Sequence, residues 1–178
     1  HLLGHGDALS GQVRRILVGT LYAQPLSLAA GSAAGIISAA IAAYTTGSPA
    51  LVTVGLLITL VAVARVIFAY RVSLDDEATS TAQLELLYLA GAFSYALLLG
   101  IAAAITIALG SQGGVQALML VNAVGYGVGV CARNAGRPLI AIGQLVLAAS
   151  PLVVAAIWRG TLAYACLAVT IAVLVATM

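Results

Sequence analysis

The chain has 178 residues, 63% of them apolar and only 7% charged, with a formal net charge of +2. A water-soluble domain carries about 25% charged residues, because its surface faces water. A composition this poor in charge excludes a soluble globule, and its few scattered basic groups exclude a nucleic-acid surface. The apolar runs are continuous and lack a period of two, which favours helices over a β-barrel.

Residues 1–25 read as a polar, Gly-rich tail followed by an interfacial helix over Gln12 to Gln24, with Val13, Ile16, Leu17 and Leu21 at helical spacing. Six apolar spans follow over residues 26–44, 50–68, 86–109, 115–131, 139–157 and 161–178. A bilayer needs about 20 residues of helix, and each run approaches that length. Pro25 and Pro49 suit first helical turns, with Ser48 as a cap. The pattern predicts an all-α membrane protein with six transmembrane helices and both termini on one side.

Arginine distribution sets the direction. With the termini inside, Arg14, Arg15, Arg65, Arg71, Arg133 and Arg137 lie on the cytoplasmic side and only Arg159 lies outside. The reverse orientation would oppose the positive-inside bias. Tyr22, Tyr70 and Tyr88 then fall at the inner interface, and Tyr44, Trp158 and Tyr164 at the outer one.

Intramembrane ionisable groups mark function by default, and here they are scarce. Arg65 and Glu85 stand near helix ends, where each can snorkel to water, the two can pair, or Glu85 can pair with Arg133. The scarcity of carboxylates and histidines at depth argues against proton or ion coupling. His1 and His5 precede the spans, and Cys131 and Cys166 fall at different depths, so no metal or haem site is expected. The cysteines read as small buried apolar residues.

Gly31 with Gly35, and Gly125 with Gly129, are glycine pairs four apart, a spacing that lets helices pack closely. They serve either packing within the bundle or a subunit contact. Tyr95, Gln116, Asn122 and Gln144 are polar groups at depth, suited to interhelical hydrogen bonds or to lining a small pocket. Pro151 should remove one backbone bond and kink the fifth span.

The loop Arg133-Asn134-Ala135-Gly136-Arg137-Pro138 is the most distinctive run. Asn134 and Gly136 suit a helix C-terminus, and Pro138 opens the next helix. Its arginines have three available roles: binding lipid phosphates, docking a cytoplasmic domain, or pairing with Asp75, Asp76 or Glu77 of the other inner loop. Charge pairing is the preferred reading.

This run, followed by Ile140-Ala141-Ile142-Gly143-Gln144, resembles the central motif of a six-helix membrane region. That region precedes GGDEF and EAL domains in alphaproteobacterial cyclic-di-GMP signalling proteins. Leu21-Tyr22 with Pro25 and Gly31, Glu85-Leu86-Leu87-Tyr88 with Gly91-Ala92 and Leu99-Gly100, and Gly125-Tyr126 with Gly129 carry the similarity along the chain. The resemblance implies a sensory input module of the bacterial inner membrane. It would work as a homodimer and regulate a diguanylate cyclase or phosphodiesterase domain in cis. Neither a GGDEF nor an EAL motif occurs in these residues, so the chain by itself is expected to be no enzyme and to need no cofactor. His1 at the start and an apolar run at Met178 suggest part of a longer protein. An accessory or assembly subunit of a larger membrane complex is the alternative, and a small transporter a third reading.

Overall fold

A computed structural model describes residues 25–71, 81–133 and 138–177, all in helices or the short turns between them. The six helices are α1 (Pro25–Thr46), α2 (Pro49–Arg71), α3 (Thr81–Ala108), α4 (Gly113–Arg133), α5 (Pro138–Arg159) and α6 (Leu162–Thr177). Five of them are long and apolar enough to cross a bilayer, and α6, at 16 residues, is apolar but shorter. The expected interfacial helix over residues 12–24 lies outside the described residues.

Each helix corresponds to one apolar run, with one boundary clearly displaced. α3 begins at Thr81 rather than Leu86, because Gln83 and Glu85 continue the helix although they interrupt the apolar run. Helix-forming polar residues extend a helix past the point where its hydropathy falls.

The turns are built by glycines in the left-handed region, at Gly47 (φ 63°), Gly110 (φ 64°) and Gly160 (φ 66°). After α3, Ser111 N–H donates to Thr106 C=O and Gly110 N–H to Ile107 C=O, which satisfies carbonyls the helix end would leave bare. α2 opens on Pro49, with Ser48 C=O accepting the first helical bond from Val52 N–H at 3.0 Å.

Helices α1, α2, α3 and α4 close a ring. α5 packs behind α3 and α4, most extensively on α3, and α6 packs mainly on α5. The common core runs through all six helices, from Ala42, Leu51 and Ile58 through Leu99 and Met119 to Leu152 and Ile171. Small residues allow this density. A Cβ at Gly100 would run into the Ala148 backbone carbonyl, so α3 and α5 meet backbone to side-chain-free backbone.

Outward-facing positions are apolar as well. Leu56, Leu60, Val121, Val154, Leu162 and Val169 are each more than three-fifths exposed. A surface of this kind suits hydrocarbon, as does the way its hydroxyls are satisfied. Thr45, Thr46, Thr59 and Thr170 donate to carbonyls of their own helices at 2.7–2.9 Å. No donor is left facing lipid at those positions.

Candidate functional site

One end of the ring contains the only buried charge among the described residues. Arg65 stands six residues before the end of α2, about 9 Å along the helix axis at 1.5 Å per residue. It is only 9% exposed. Its guanidinium carbon lies 5.0 Å from the centre of the Tyr95 ring on α3, a cation–π arrangement. Room for its stem comes from Gly91, one turn away on α3, where a Cβ would meet Arg65 Cγ at 2.8 Å. Among the described residues Nη1 and Nη2 have no hydrogen-bond partner, and both are shielded from solvent.

Tyr95 is fully buried and connects three further elements. Its hydroxyl donates to Gly31 C=O on α1 at 3.1 Å. Gly35, one turn further along α1, makes space for the phenol, since a Cβ there would collide with the hydroxyl. The Tyr95 and Tyr126 rings meet edge to face, centroids 5.1 Å apart and planes at 64°. Tyr126 on α4 then donates to Gln144 Oε1 on α5 at 2.8 Å. A continuous line of contacts thus runs Arg65–Tyr95–Tyr126–Gln144 across α2, α3, α4 and α5.

Beside Arg65, between α1 and α4, is a cavity of about 300 Å³. Gly31 and Ser32 on α1 and Asn122, Gly125, Tyr126 and Gly129 on α4 line it together with Arg65. Ser32 Oγ is buried without a partner among the described residues. On the opposite side, between α2 and α3, a second cavity of about 390 Å³ is walled mostly by apolar groups, among them Leu60, Val61, Phe68 and Leu87. Arg65 and Leu28 line both.

Several sequence expectations change here. Arg65 neither snorkels nor pairs with Glu85: Gly91 admits its stem to the interior, and Tyr95 takes its face. Glu85 is half-buried on α3. Of the four glycines read as serving either bundle packing or a subunit contact, only Gly35 meets a side chain of another helix in this bundle. A Cβ at Gly31, Gly125 or Gly129 would touch nothing within 4 Å, because these residues border the cavity. Tyr88 is buried against Ala92 and Ile140. Cys166 is exposed on α6, not buried.

α5 continues as one helix through Pro151. Arg133 ends α4 and Pro138 begins α5. Asn134, Gly136 and Arg137, like Asp75, Asp76 and Glu77, lie outside the described residues, and with them the proposed pairing of the two loops.

The polar groups at depth join helices. Asn122 Nδ2–H donates to Ala34 C=O at 3.1 Å, and Tyr164 O–H donates to Gln116 Oε1 at 2.6 Å. Asn122 also borders the cavity. Sequence reasoning missed Ser32, Gly91 and Tyr126 as neighbours of Arg65. The available signal was the arginine itself, placed inside an apolar span.

Among the described residues, no group of three or more His, Cys, Asp or Glu side chains could hold a metal. Comparison with protein-family models, curated proteins and solved structures finds no match for this chain.

Proposed function

We propose that the chain is a membrane-embedded input module in which binding at the Arg65 cavity biases the packing of the bundle. The observation that carries this reading is a buried guanidinium, its terminal nitrogens without a hydrogen-bond partner among the described residues, at the head of contacts spanning four helices. A ligand shifts a conformational equilibrium only by binding one state better than another. A site whose charge lacks a partner has a large differential to offer.

The output proposed is regulation of a cytoplasmic cyclic-di-GMP cyclase or phosphodiesterase domain in cis, by the resemblance centred on Arg133–Pro138. The module sits in the bacterial inner membrane with both termini inside, and acts as a homodimer. Arginine placement supports this orientation. Arg65 and Arg71 lie toward the end where α4 finishes at Arg133, and Arg159 lies at the other end beside Gly110.

The test is cyclic-di-GMP content in cells expressing the full native reading frame, with wild-type sequence or with Arg133→Ala or Arg137→Ala. Nucleotide content should change at least severalfold in one variant, with membrane insertion retained. Equal content in all three strains overturns the signalling role.

A further inference from the structure

We infer that the Arg65 site binds an anionic amphiphile: a phosphate or carboxylate head held by Arg65 and Ser32, with an apolar tail in the α2–α3 cavity. This rests on the input-module reading for its consequence but not for its chemistry.

The charge argument comes first. A guanidinium does not lose its proton in a protein, so burial cannot neutralise Arg65 as it would a lysine. Nine-tenths of the residue is buried, and its two terminal nitrogens donate to nothing among the described residues. The Tyr95 face offsets part of the charge from one side. The in-plane donors, which recognise two oxygens of one oxyanion at once, remain unused. The one carboxylate among the described residues, Glu85, does not supply the acceptors. A water molecule would accept from one or two N–H groups and leave the charge uncompensated.

Geometry selects the rest of the ligand. Ser32 lines the same cavity, and its Oγ, buried and without a partner among the described residues, is a neutral donor suited to a third oxygen. The cavity's volume of about 300 Å³ lies within the small-molecule range. A free oxyanion would occupy only part of it. The neighbouring cavity of about 390 Å³, reached past Arg65 and Leu28, has Leu60, Val61, Phe68 and Leu87 in its walls. The first chamber carries Arg65, Ser32 and Asn122 in an otherwise largely apolar wall, and the second is walled almost wholly by apolar groups. The two share Arg65 and Leu28, which matches a molecule with one charged end. Such a molecule partitions into the bilayer and enters from its side, which a soluble anion does not.

The proposal is tested on the chain in phosphatidylcholine nanodiscs, by calorimetric titration with dodecyl phosphate, dodecanol and inorganic phosphate, empty discs serving as blank. Dodecyl phosphate should bind saturably and at least tenfold more tightly than inorganic phosphate, and dodecanol should not saturate. Arg65→Met should weaken dodecyl phosphate about tenfold to a hundredfold, the scale of lost charge-assisted hydrogen bonds. Arg65→Lys should retain part of the affinity and Ser32→Ala lose less than Arg65→Met. Ala64→Phe, which fills the apolar cavity, should weaken dodecyl phosphate and leave inorganic phosphate unchanged.

Equal binding by wild type, Arg65→Met and Arg65→Lys overturns the site. Inorganic phosphate binding as tightly as dodecyl phosphate overturns the amphiphile and assigns a soluble anion. The two readings fail separately. Amphiphile binding with no change in cyclic-di-GMP content on adding it to cells would leave the site and remove the signalling output. Loss of the site, with output still sensitive to Arg133→Ala, would do the reverse.

Discussion

The Arg65 guanidinium lies over the Tyr95 ring at 5.0 Å, and no hydrogen-bond acceptor among the described residues meets its terminal nitrogens. The two residues come from successive helices, and Gly91 makes the approach possible. A buried cation held mainly by an aromatic face is a strained arrangement in the absence of an anion.

Arg65→Met should therefore raise the stability of the unliganded protein, or leave it unchanged. Removing an uncompensated buried charge while keeping the apolar stem relieves desolvation, and analogous replacements stabilise by about 1–4 kcal/mol. Thermal unfolding in detergent measures this. A fall in Tm of several degrees would mean that Arg65 is compensated in the folded state.

Gly35 and Tyr95 should be energetically coupled. Gly35→Ala places a methyl against the Tyr95 hydroxyl and should cost about 1–3 kcal/mol, the usual penalty of overpacking. Tyr95→Phe forfeits the bond to Gly31 C=O, about 0.5–1.5 kcal/mol. With the hydroxyl gone the added methyl has more room, so the double variant should lose at least about 0.5 kcal/mol less than the sum. Strict additivity in the double-mutant cycle would contradict the contact.

Glycines of similar appearance should differ sharply. Gly100→Ala drives a methyl into the Ala148 backbone, which cannot rotate away, and should separate α3 from α5 at a cost of about 1–3 kcal/mol or more. Gly125→Ala and Gly129→Ala meet open space and should fall within about 0.5 kcal/mol of wild type. Equal destabilisation at all three positions, measured by thermal unfolding, would show that α4 packs against something other than the cavity.

The proposed orientation places the α4–α5 loop in the cytoplasm. A cysteine at Asn134, in a background lacking Cys131 and Cys166, should resist a membrane-impermeant maleimide in intact spheroplasts and react once they are lysed. Labelling before lysis would reverse the orientation and detach the loop from any cytoplasmic domain.

Number, position and apolar character of the helices were legible in the residue order. Continuous runs separated by Thr45–Pro49, Gly110–Gly114 and Trp158–Gly160 leave few other ways to satisfy the backbone in hydrocarbon. Helix α3 begins before its apolar span for a related reason. Hydropathy marks where lipid suits a chain, and Thr81–Glu85 shows that a helix extends further than that.

The Arg65 site was only half legible. An arginine inside an apolar span is visible in the sequence, and so are Tyr95 and the four glycines. Their meeting is not, because it depends on which helices become neighbours and how each is rotated. Gly31, Gly125 and Gly129 illustrate the limit: glycines four apart signal a close approach only when a partner helix faces them, and here they border a void.

Composition and apolar periodicity alone thus determined a set of helices suited to lipid, since these are properties each segment has by itself. Which side of α2 turned inward, and so whether Arg65 met water or the ring of Tyr95, was decided only by the assembled bundle. Burial is a property of neighbours, and the neighbours of Arg65 come from α1, α3 and α4.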